Sequence, residues 1–115
     1  EPLHYAADGN PDSDSWDPKA QAAMVQLLIR AGADPNSKDK TGVAPIHRAV
    51  RTRCSSAVRA LLQNGANPQL ANKSGSTPSR LAAQDTGRGG TGSPAAREQQ
   101  KEIILLLRRA ESRQT

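Results

Sequence analysis

Large aromatic side chains are nearly missing from this sequence, which has no Phe, one Trp and one Tyr among its 115 residues. Apolar residues make up 35% of the chain, so a core must be built from Leu, Ile, Val and Ala. Such small side chains suit helices that approach one another closely, and they argue against a barrel or sandwich filled with aromatic rings. The length is that of one domain with a single core.

Cysteine and long hydrophobic runs are equally scarce. Cys54 is the single cysteine, so a disulfide within the chain is excluded, and an unpaired thiol is compatible with a reducing compartment. The longest apolar run, residues 103–107, is far shorter than the roughly 20 residues that a membrane-spanning helix needs. The start of the chain does not have the pattern of a signal peptide. We therefore expect a cytoplasmic domain without a membrane span.

Acidic residues are few in the C-terminal two-thirds of the chain. Residues 1–38 contain three basic and six acidic side chains, whereas residues 39–115 contain thirteen basic and five acidic ones. A basic surface attracts acidic protein segments, nucleic acid or anionic lipid, and charge alone does not choose among them.

A repeat becomes visible when the sequence is compared with itself at a fixed offset. A shift of 33 residues aligns nine identical pairs within the window from 25 to 50, far more than a random composition would supply. The pairs are Val25 with Val58, Leu28 with Leu61, Gly32 with Gly65, Ala33 with Ala66, Pro35 with Pro68, Lys40 with Lys73, Gly42 with Gly75, Pro45 with Pro78, and Ala49 with Ala82.

The middle unit contains Ala44-Pro45-Ile46-His47 and later Leu61-Leu62 followed by Gly65-Ala66-Asn67. This order resembles the ankyrin repeat, whose pattern includes Thr-Pro-Leu-His and a later Leu-Leu followed by Gly-Ala-Asp. Pro2-Leu3-His4 upstream and Thr77-Pro78 downstream resemble the start of the same unit.

The resemblance implies an all-α fold, an ankyrin-repeat solenoid of about three helix-turn-helix repeats with hairpin loops. We expect a single domain over residues 1–115. It comprises a truncated first repeat with an acidic insertion (1–38), a middle repeat (39–71), a C-terminal capping repeat with a Gly-rich insertion (72–110) and a tail (111–115). Both long insertions are expected between the two helices of a repeat. Pro45 and Pro78 should begin helices, Asp17 should cap a helix that begins at Pro18, and Gly32 and Gly65 should end helices.

Three features invite a chemical interpretation that the residues support poorly. Residues 87–92 match G-x-G-x-x-G, but a dinucleotide site needs a preceding strand, so a flexible linker is expected. Residues 8–14 have the oxygen spacing of a calcium loop, but Lys19 stands where that loop has Glu, so a solvated acidic turn is expected and adventitious cation binding is the alternative. Cys54 has no catalytic partner at a suitable spacing and is expected to be inert. Trp16 should pack on the adjacent helices or anchor a partner.

The resemblance also implies roles for particular residues. His4 and His47 occupy the histidine position of the motif, which in the family bonds to neighbouring turn backbone, so we expect a structural role. The family binds through its hairpin tips and the exposed side of its first helices. At the matching positions, the candidate partner-binding residues are Tyr5, Lys40, Thr41, Val43, Arg48, Arg51, Thr52, Lys73, Ser74, Ser76 and Gln84.

The resemblance implies a non-enzymatic protein-protein interaction module that binds through its concave face and hairpin tips, and we expect no catalytic residue, cofactor or metal. Four of the candidates are basic, so a protein partner with an acidic segment is expected, and the module itself is expected to be a monomer. The alternative is that these charged side chains only keep the surface hydrated and do not bind a partner. Two functional alternatives are electrostatic binding of nucleic acid or an anionic surface through the basic part, and a targeting or regulatory segment of a larger enzyme.

Overall fold

A computed structural model describes residues 2–7, 17–88 and 94–114 of the chain. In these ranges all regular secondary structure is helical, which confirms the expected all-α class. Within the same ranges, none of the helices combines the length and the apolar character that crossing a bilayer requires. The helices are α1 (Pro2–Ala7), α2 (Pro18–Arg30), α3 (Pro45–Arg51), α4 (Ser55–Gln63), α5 (Pro78–Arg88) and α6 (Pro94–Gln114).

Proline begins every helix except α4, as the sequence predicts for Pro18, Pro45 and Pro78. The first residue of a helix has no intrahelical partner for its amide, so a residue without an N–H costs little there. Asp17 caps α2 as expected, because its Oδ1 accepts hydrogen bonds from the amides of Lys19 (3.0 Å) and Ala20 (3.2 Å).

The ends of α2 and α4 have the same geometry. Gly32 and Gly65 both adopt a left-handed conformation, with φ of 109° and 100°. Beside Gly65, the amide of Ala66 donates to the carbonyl of Leu61 at 2.9 Å, and the equivalent hydrogen bond closes α2 around Gly32. This is the Schellman arrangement, which satisfies the last carbonyls of a helix and favours glycine. The two glycines therefore occupy equivalent places in successive helical pairs.

The helices form two rows. Helices α1, α3 and α5 contact one another in sequence, and α2, α4 and α6 form the second row, with the α2–α4 contact the most extensive. The rows share one core, because no helical pair can bury its apolar side alone. The largest fully buried aliphatic side chains are those of Leu3, Val25, Ile46, Val50, Val58, Leu61, Ile103 and Leu107.

Two hairpin loops connect the pairs, and each has an acidic or amide residue at its first position. The Oδ1 of Asp39 accepts hydrogen bonds from the amides of Thr41 (2.9 Å) and Val43 (3.1 Å). In the next loop the Oδ1 of Asn72 accepts from the amides of Ser74 (2.9 Å) and Ser76 (3.0 Å). Short polar side chains stabilise tight turns in this way, so both tips have a defined shape.

The two predicted insertions are only partly described. Residues 8–16 and 89–93 lie outside the described ranges, so the placement of the insertions and the domain boundaries stay predictions. The third repeat is longer than the 33-residue period, and part of its additional length is helical. Helix α5 has 11 residues where α3 has 7, and α6 has 21 where α4 has 9. Residues 87 and 88, the first two of the expected flexible linker, continue α5, and α6 extends beyond residue 110, the expected end of the third repeat.

Gly42 lies where the two hairpin tips touch, so a side chain added there has two separate costs. One is backbone strain, and the other is steric overlap with the neighbouring tip. The φ of Gly42 is 78°, and an added Cβ would lie 2.4 Å from the Cβ of Lys73, whereas Gly75 has a similar φ of 83° and open space around it. We expect Gly75→Ala to lower the free energy of unfolding by about 1–2 kcal/mol through backbone strain alone. Gly42→Ala should cost roughly 1 kcal/mol more, because the loops must also separate.

Urea unfolding of both variants measures this difference. Equal losses for the two variants would show that the tips do not support one another.

Candidate functional site

Five of the residues that the sequence predicts for partner binding line a single cleft of about 360 Å³. Thr41 and Val43 come from the first hairpin loop, and Arg48, Arg51 and Thr52 come from α3 and the residue that follows it. The loop and the helix meet here because α3 begins at Pro45, directly after the tip.

A carboxylate orients the guanidinium group in this cleft. Arg48 Nη2 lies 3.4 Å from Asp39 Oδ2, and both side chains are partly buried. The pKa of Asp39 lies well below its ordinary value, first because the Thr41 hydroxyl donates to it and then because the Val43 amide does. Since Asp39 stays ionised, it holds one side of Arg48 and compensates part of the cleft's positive charge.

Several polar groups of the cleft are occupied by bonds within the chain. The Thr41 hydroxyl donates to Asp39 at 2.6 Å, and the Thr52 hydroxyl donates to the Arg48 carbonyl at 2.9 Å. Arg51 is exposed, and no ion pair involves it among the residues that the structure describes. Arg51 is therefore the group of the cleft most available to an anionic partner.

The second hairpin tip lies beside the first. The amide of Lys73 donates to the carbonyl of Gly42 at 3.2 Å, so Lys40 and Lys73 occupy equivalent places on adjacent tips. Both lysines are exposed, as is Ser74, whereas Ser76 is partly buried. The tips thus add two cationic side chains near the cleft without lining it.

Tyr5 and Gln84 are the two remaining candidates. They lie on α1 and α5, the first helices of their units, but their side chains fall outside the described part of the structure. Whether they share a surface with the cleft stays a prediction.

Both histidines have the expected structural role. His4 Nε2 lies 2.8 Å from the Val43 carbonyl, and His47 Nε2 lies 2.7 Å from the Leu70 carbonyl. Each ring therefore joins the first helix of its pair to the segment that follows the second helix. The Ala44 amide donates to His47 Nδ1 at 3.0 Å, which fixes this ring as the neutral tautomer with its proton on Nε2. Burial, first of all, lowers the pKa of His47 below its ordinary value.

The other chemical candidates remain without a site. Cys54 is buried at the start of α4, where its sulfur lies 3.4 Å from the Thr52 hydroxyl. In the described ranges no group of three or more His, Cys, Asp or Glu side chains could hold a metal ion. Trp16 and the acidic turn lie outside those ranges, as do residues 89–92 of the glycine-rich run.

Sequence reasoning places Asp39 at a hairpin tip but does not predict which residues shape the tips. The side chains of Asp39 and Asn72 fix both loops, and Asp39 also orients Arg48. The signal was available, because the two residues are related by the 33-residue offset and each precedes a Gly by three positions, which is typical of an Asx turn.

The protonation of His47 predicts a pH-dependent stability. Because its pKa is lower in the folded chain than in the unfolded chain, the stabilisation is fully present above pH 6.5 and is lost as the pH falls through the lowered value. We expect the free energy of unfolding, from urea titrations, to decrease from pH 7.5 to pH 5. His47→Gln should be less stable by about 1–3 kcal/mol at pH 7.5 and have a flatter profile. An identical slope in the variant would contradict the assignment.

Asp39 predicts a second, more acidic transition. Its lowered pKa means that its stabilisation is fully present above pH 3.8 and is lost as the pH falls further. Asp39→Asn copies the residue found in the other tip, so it should preserve the loop and reduce the loss of stability between pH 4 and pH 2. Asn72→Asp is the matched control and should increase that loss. Thermal unfolding followed by circular dichroism measures both, and unaltered acid profiles would refute this role of Asp39.

Comparison with known proteins agrees with the repeats seen in the structure. The family model described as "Ankyrin repeats (3 copies)" matches residues 18–90. Over 63 residues, 54% of the chain, the sequence is 35% identical to Rabankyrin-5 of Mus musculus, and the match covers 5% of that protein's length. Ankyrin repeats are generally protein-protein interaction modules, and the family is typically non-enzymatic. With the family model spanning more than half of its residues, the chain belongs to the ankyrin repeat family.

Proposed function

We propose that this chain is a non-enzymatic interaction module that holds an acidic segment of a partner protein against the cleft of α3 and against the adjacent hairpin tips. The observation that carries the proposal is the convergence of Arg48 and Arg51 on one cleft beside the loop residues Thr41 and Val43. Family membership supports binding as the general role.

The chemistry of the cleft favours carboxylates. A guanidinium group can bind a carboxylate through two parallel hydrogen bonds, and Arg51 is exposed for such a contact. Arg48 is already oriented by Asp39, so a partner that approaches it meets a guanidinium whose position is restricted. Ordering this side chain on binding therefore costs less conformational entropy than ordering a freely rotating one.

The two lysines at the tips attract an acidic partner electrostatically rather than contact it closely. Lys40 and Lys73 are exposed and lie on neighbouring tips, so their charges add to those of the cleft. Exposed charges accelerate the approach of an oppositely charged partner, and salt screens this effect over about 8–10 Å. We therefore propose that the arginines determine the lifetime of the complex and the lysines its rate of formation.

Binding is also favoured over catalysis by the way the histidines are used. His4 and His47 each bond to a backbone carbonyl, and the second ring nitrogen of His47 accepts the Ala44 amide. A general base needs a ring nitrogen that faces its substrate, which His47 does not offer. We further propose that the module acts as a monomer in the cytoplasm, and a chain with a single cysteine, which excludes an internal disulfide, is compatible with that reducing compartment.

Charge reversal in the cleft tests the proposal. Arg48→Glu combined with Arg51→Glu should weaken binding of the partner by at least about tenfold, which corresponds to about 1.4 kcal/mol. Arg108→Glu combined with Arg109→Glu is the matched control, because it makes the same change of net charge on exposed residues of α6. Quantitative affinity capture followed by calorimetry measures both variants, and equal melting temperatures verify that both remain folded.

Three results would contradict the proposal. Unchanged partners after reversal of Arg48 and Arg51 would exclude the cleft as the main binding surface. An equal loss of binding in the α6 control would show that net charge matters and the cleft does not. Salt-sensitive binding to nonspecific DNA or RNA at affinities similar to those for the protein partner would favour a nucleic-acid-binding role.

A further inference from the structure

Asp39 carries a charge that its hairpin turn does not need. At the equivalent position of the next tip, the uncharged side chain of Asn72 shapes the same turn. In both tips a single oxygen, Oδ1, accepts the hydrogen bonds from the two turn amides. The second oxygen of the Asp39 carboxylate, Oδ2, is therefore not required for the shape of the loop.

The charge of Asp39 occurs together with that of Arg48. Asp39 Oδ2 is the oxygen that lies 3.4 Å from Arg48 Nη2. The 33-residue offset relates Asp39 to Asn72 and Arg48 to Leu81, so the next unit contains neither member of the ion pair. The carboxylate is thus present where the cleft has an arginine, and an amide is present where it does not. The negative charge of Asp39 belongs to the cleft and not to the turn.

The cleft has a small net charge. Among the residues that the structure describes, Arg48 and Arg51 line it as cations, and Asp39 contacts the first of them as an anion. Two guanidinium groups and one carboxylate leave a single positive charge. The side chains of Arg48 and Asp39 are only 33% and 19% exposed, and partly buried charges are screened by salt much less than exposed ones. A ligand group with one negative charge balances the cleft, whereas a dianion leaves an excess of negative charge beside Asp39.

The hydroxyl groups of the cleft face a ligand as acceptors. The Thr41 hydroxyl donates its proton to Asp39, and the Thr52 hydroxyl donates its proton to the Arg48 carbonyl. Because a hydroxyl has one proton, these groups offer lone pairs to a ligand. The two oxygens of a carboxylate can be satisfied by one guanidinium group such as that of Arg51. The third oxygen of a phosphate would meet acceptors instead of donors.

From these observations we infer that Asp39 is a specificity-determining residue, which makes the cleft select segments with carboxylate side chains and reject phosphorylated ones. The inference rests on the proposed function, because it concerns which acidic partner the cleft binds. A phosphorylated side chain carries about −1.5 to −2 charges at pH 7. Phosphorylation of a partner residue that enters the cleft therefore weakens the complex, although it makes the partner more acidic.

Two peptides that differ only in their acidic group test this selectivity. In both, Gly alternates with the acidic residue, which is Glu in one peptide and phosphoserine in the other. Both are blocked at the two ends, so that only side chains carry charge. NMR titration of the Arg51 Nε–H signal at physiological salt measures each Kd. We expect the Glu peptide to bind at least about threefold more tightly, although the phosphoserine peptide has up to about twice the charge.

Asp39→Asn should remove the selectivity. The variant copies Asn72, so the turn is retained while one negative charge beside the ligand is lost. The ratio of the two Kd values should change by at least about fivefold in favour of the phosphoserine peptide, because the repulsion removed is larger for the dianion. A structural role of Asp39 would instead weaken the binding of both peptides by the same factor.

Asp34→Asn is the matched control. Asp34 is an exposed residue outside the cleft, and its Oδ1 accepts a hydrogen bond from the amide of Asn36 at 2.8 Å. The control therefore makes the same change of charge, also at a turn, and should leave the ratio of the two Kd values within about twofold of the wild-type ratio. Amide spectra that match the wild type in α3 and α4 verify that both variants are folded.

The possible results separate this inference from the function on which it rests. If the wild type bound neither peptide, both would be refuted. Binding of the Glu peptide together with tighter binding of the phosphoserine peptide would overturn the selectivity and leave the proposed function intact. The same would follow from an unchanged ratio in Asp39→Asn, or from an equal change of the ratio in Asp34→Asn.

Discussion

Contact between successive helical pairs is the constraint on which this structure depends. Each short first helix is buried only because the next one lies beside it, and the row of second helices closes the other side of the same core. Alanine at the contacts, as at Ala57 and Ala60, lets the helices approach closely, and the stability gained at each contact is shared by both units. The chain can therefore manage almost without aromatic side chains.

The same contact determines where recognition can occur. Because the stack uses the inner sides of the helices, the outer side of α3 and the hairpin tips remain accessible, and the loops are held in shape by Asp39 and Asn72. Arg48 links the two functions, since the carboxylate that shapes the loop also orients the guanidinium in the cleft. One local hydrogen-bond network around Asp39 thus both stabilises the loop and positions the guanidinium group for binding.

Much of the fold could be predicted from the sequence because its signals are local and repeated. Pro45 and Pro78 begin helices and Gly32 and Gly65 end them through backbone restrictions that need no knowledge of tertiary contacts. The offset of 33 residues then fixes the register. Five of the eleven candidate binding residues converge on one cleft for the same reason, because position within the repeat places them on the hairpin loop or on α3 and the residue after it.

What the sequence did not reveal depends on contacts between side chains and the backbone of other segments. The resemblance predicts a bond from His47 to turn backbone, but its particular partner, the Leu70 carbonyl, depends on the folded structure. The ion pair of Arg48 with Asp39 likewise needs the folded distance between loop and helix. The glycine pattern that begins at Gly87 predicts a linker, but α5 continues to Arg88, because a single glycine near the end of a helix costs only about 1 kcal/mol.

The division of labour within the hairpin tips has a consequence for how such a module can change its specificity. An Asx residue and a glycine at fixed positions determine the turn, while Lys40, Lys73 and Ser74 project from it as exposed side chains. Substitutions at these projecting positions alter the surface charge and shape of the tips with little loss in the free energy of unfolding. Evolution or design can therefore change which ligand is bound while the turns and the helical stack stay the same.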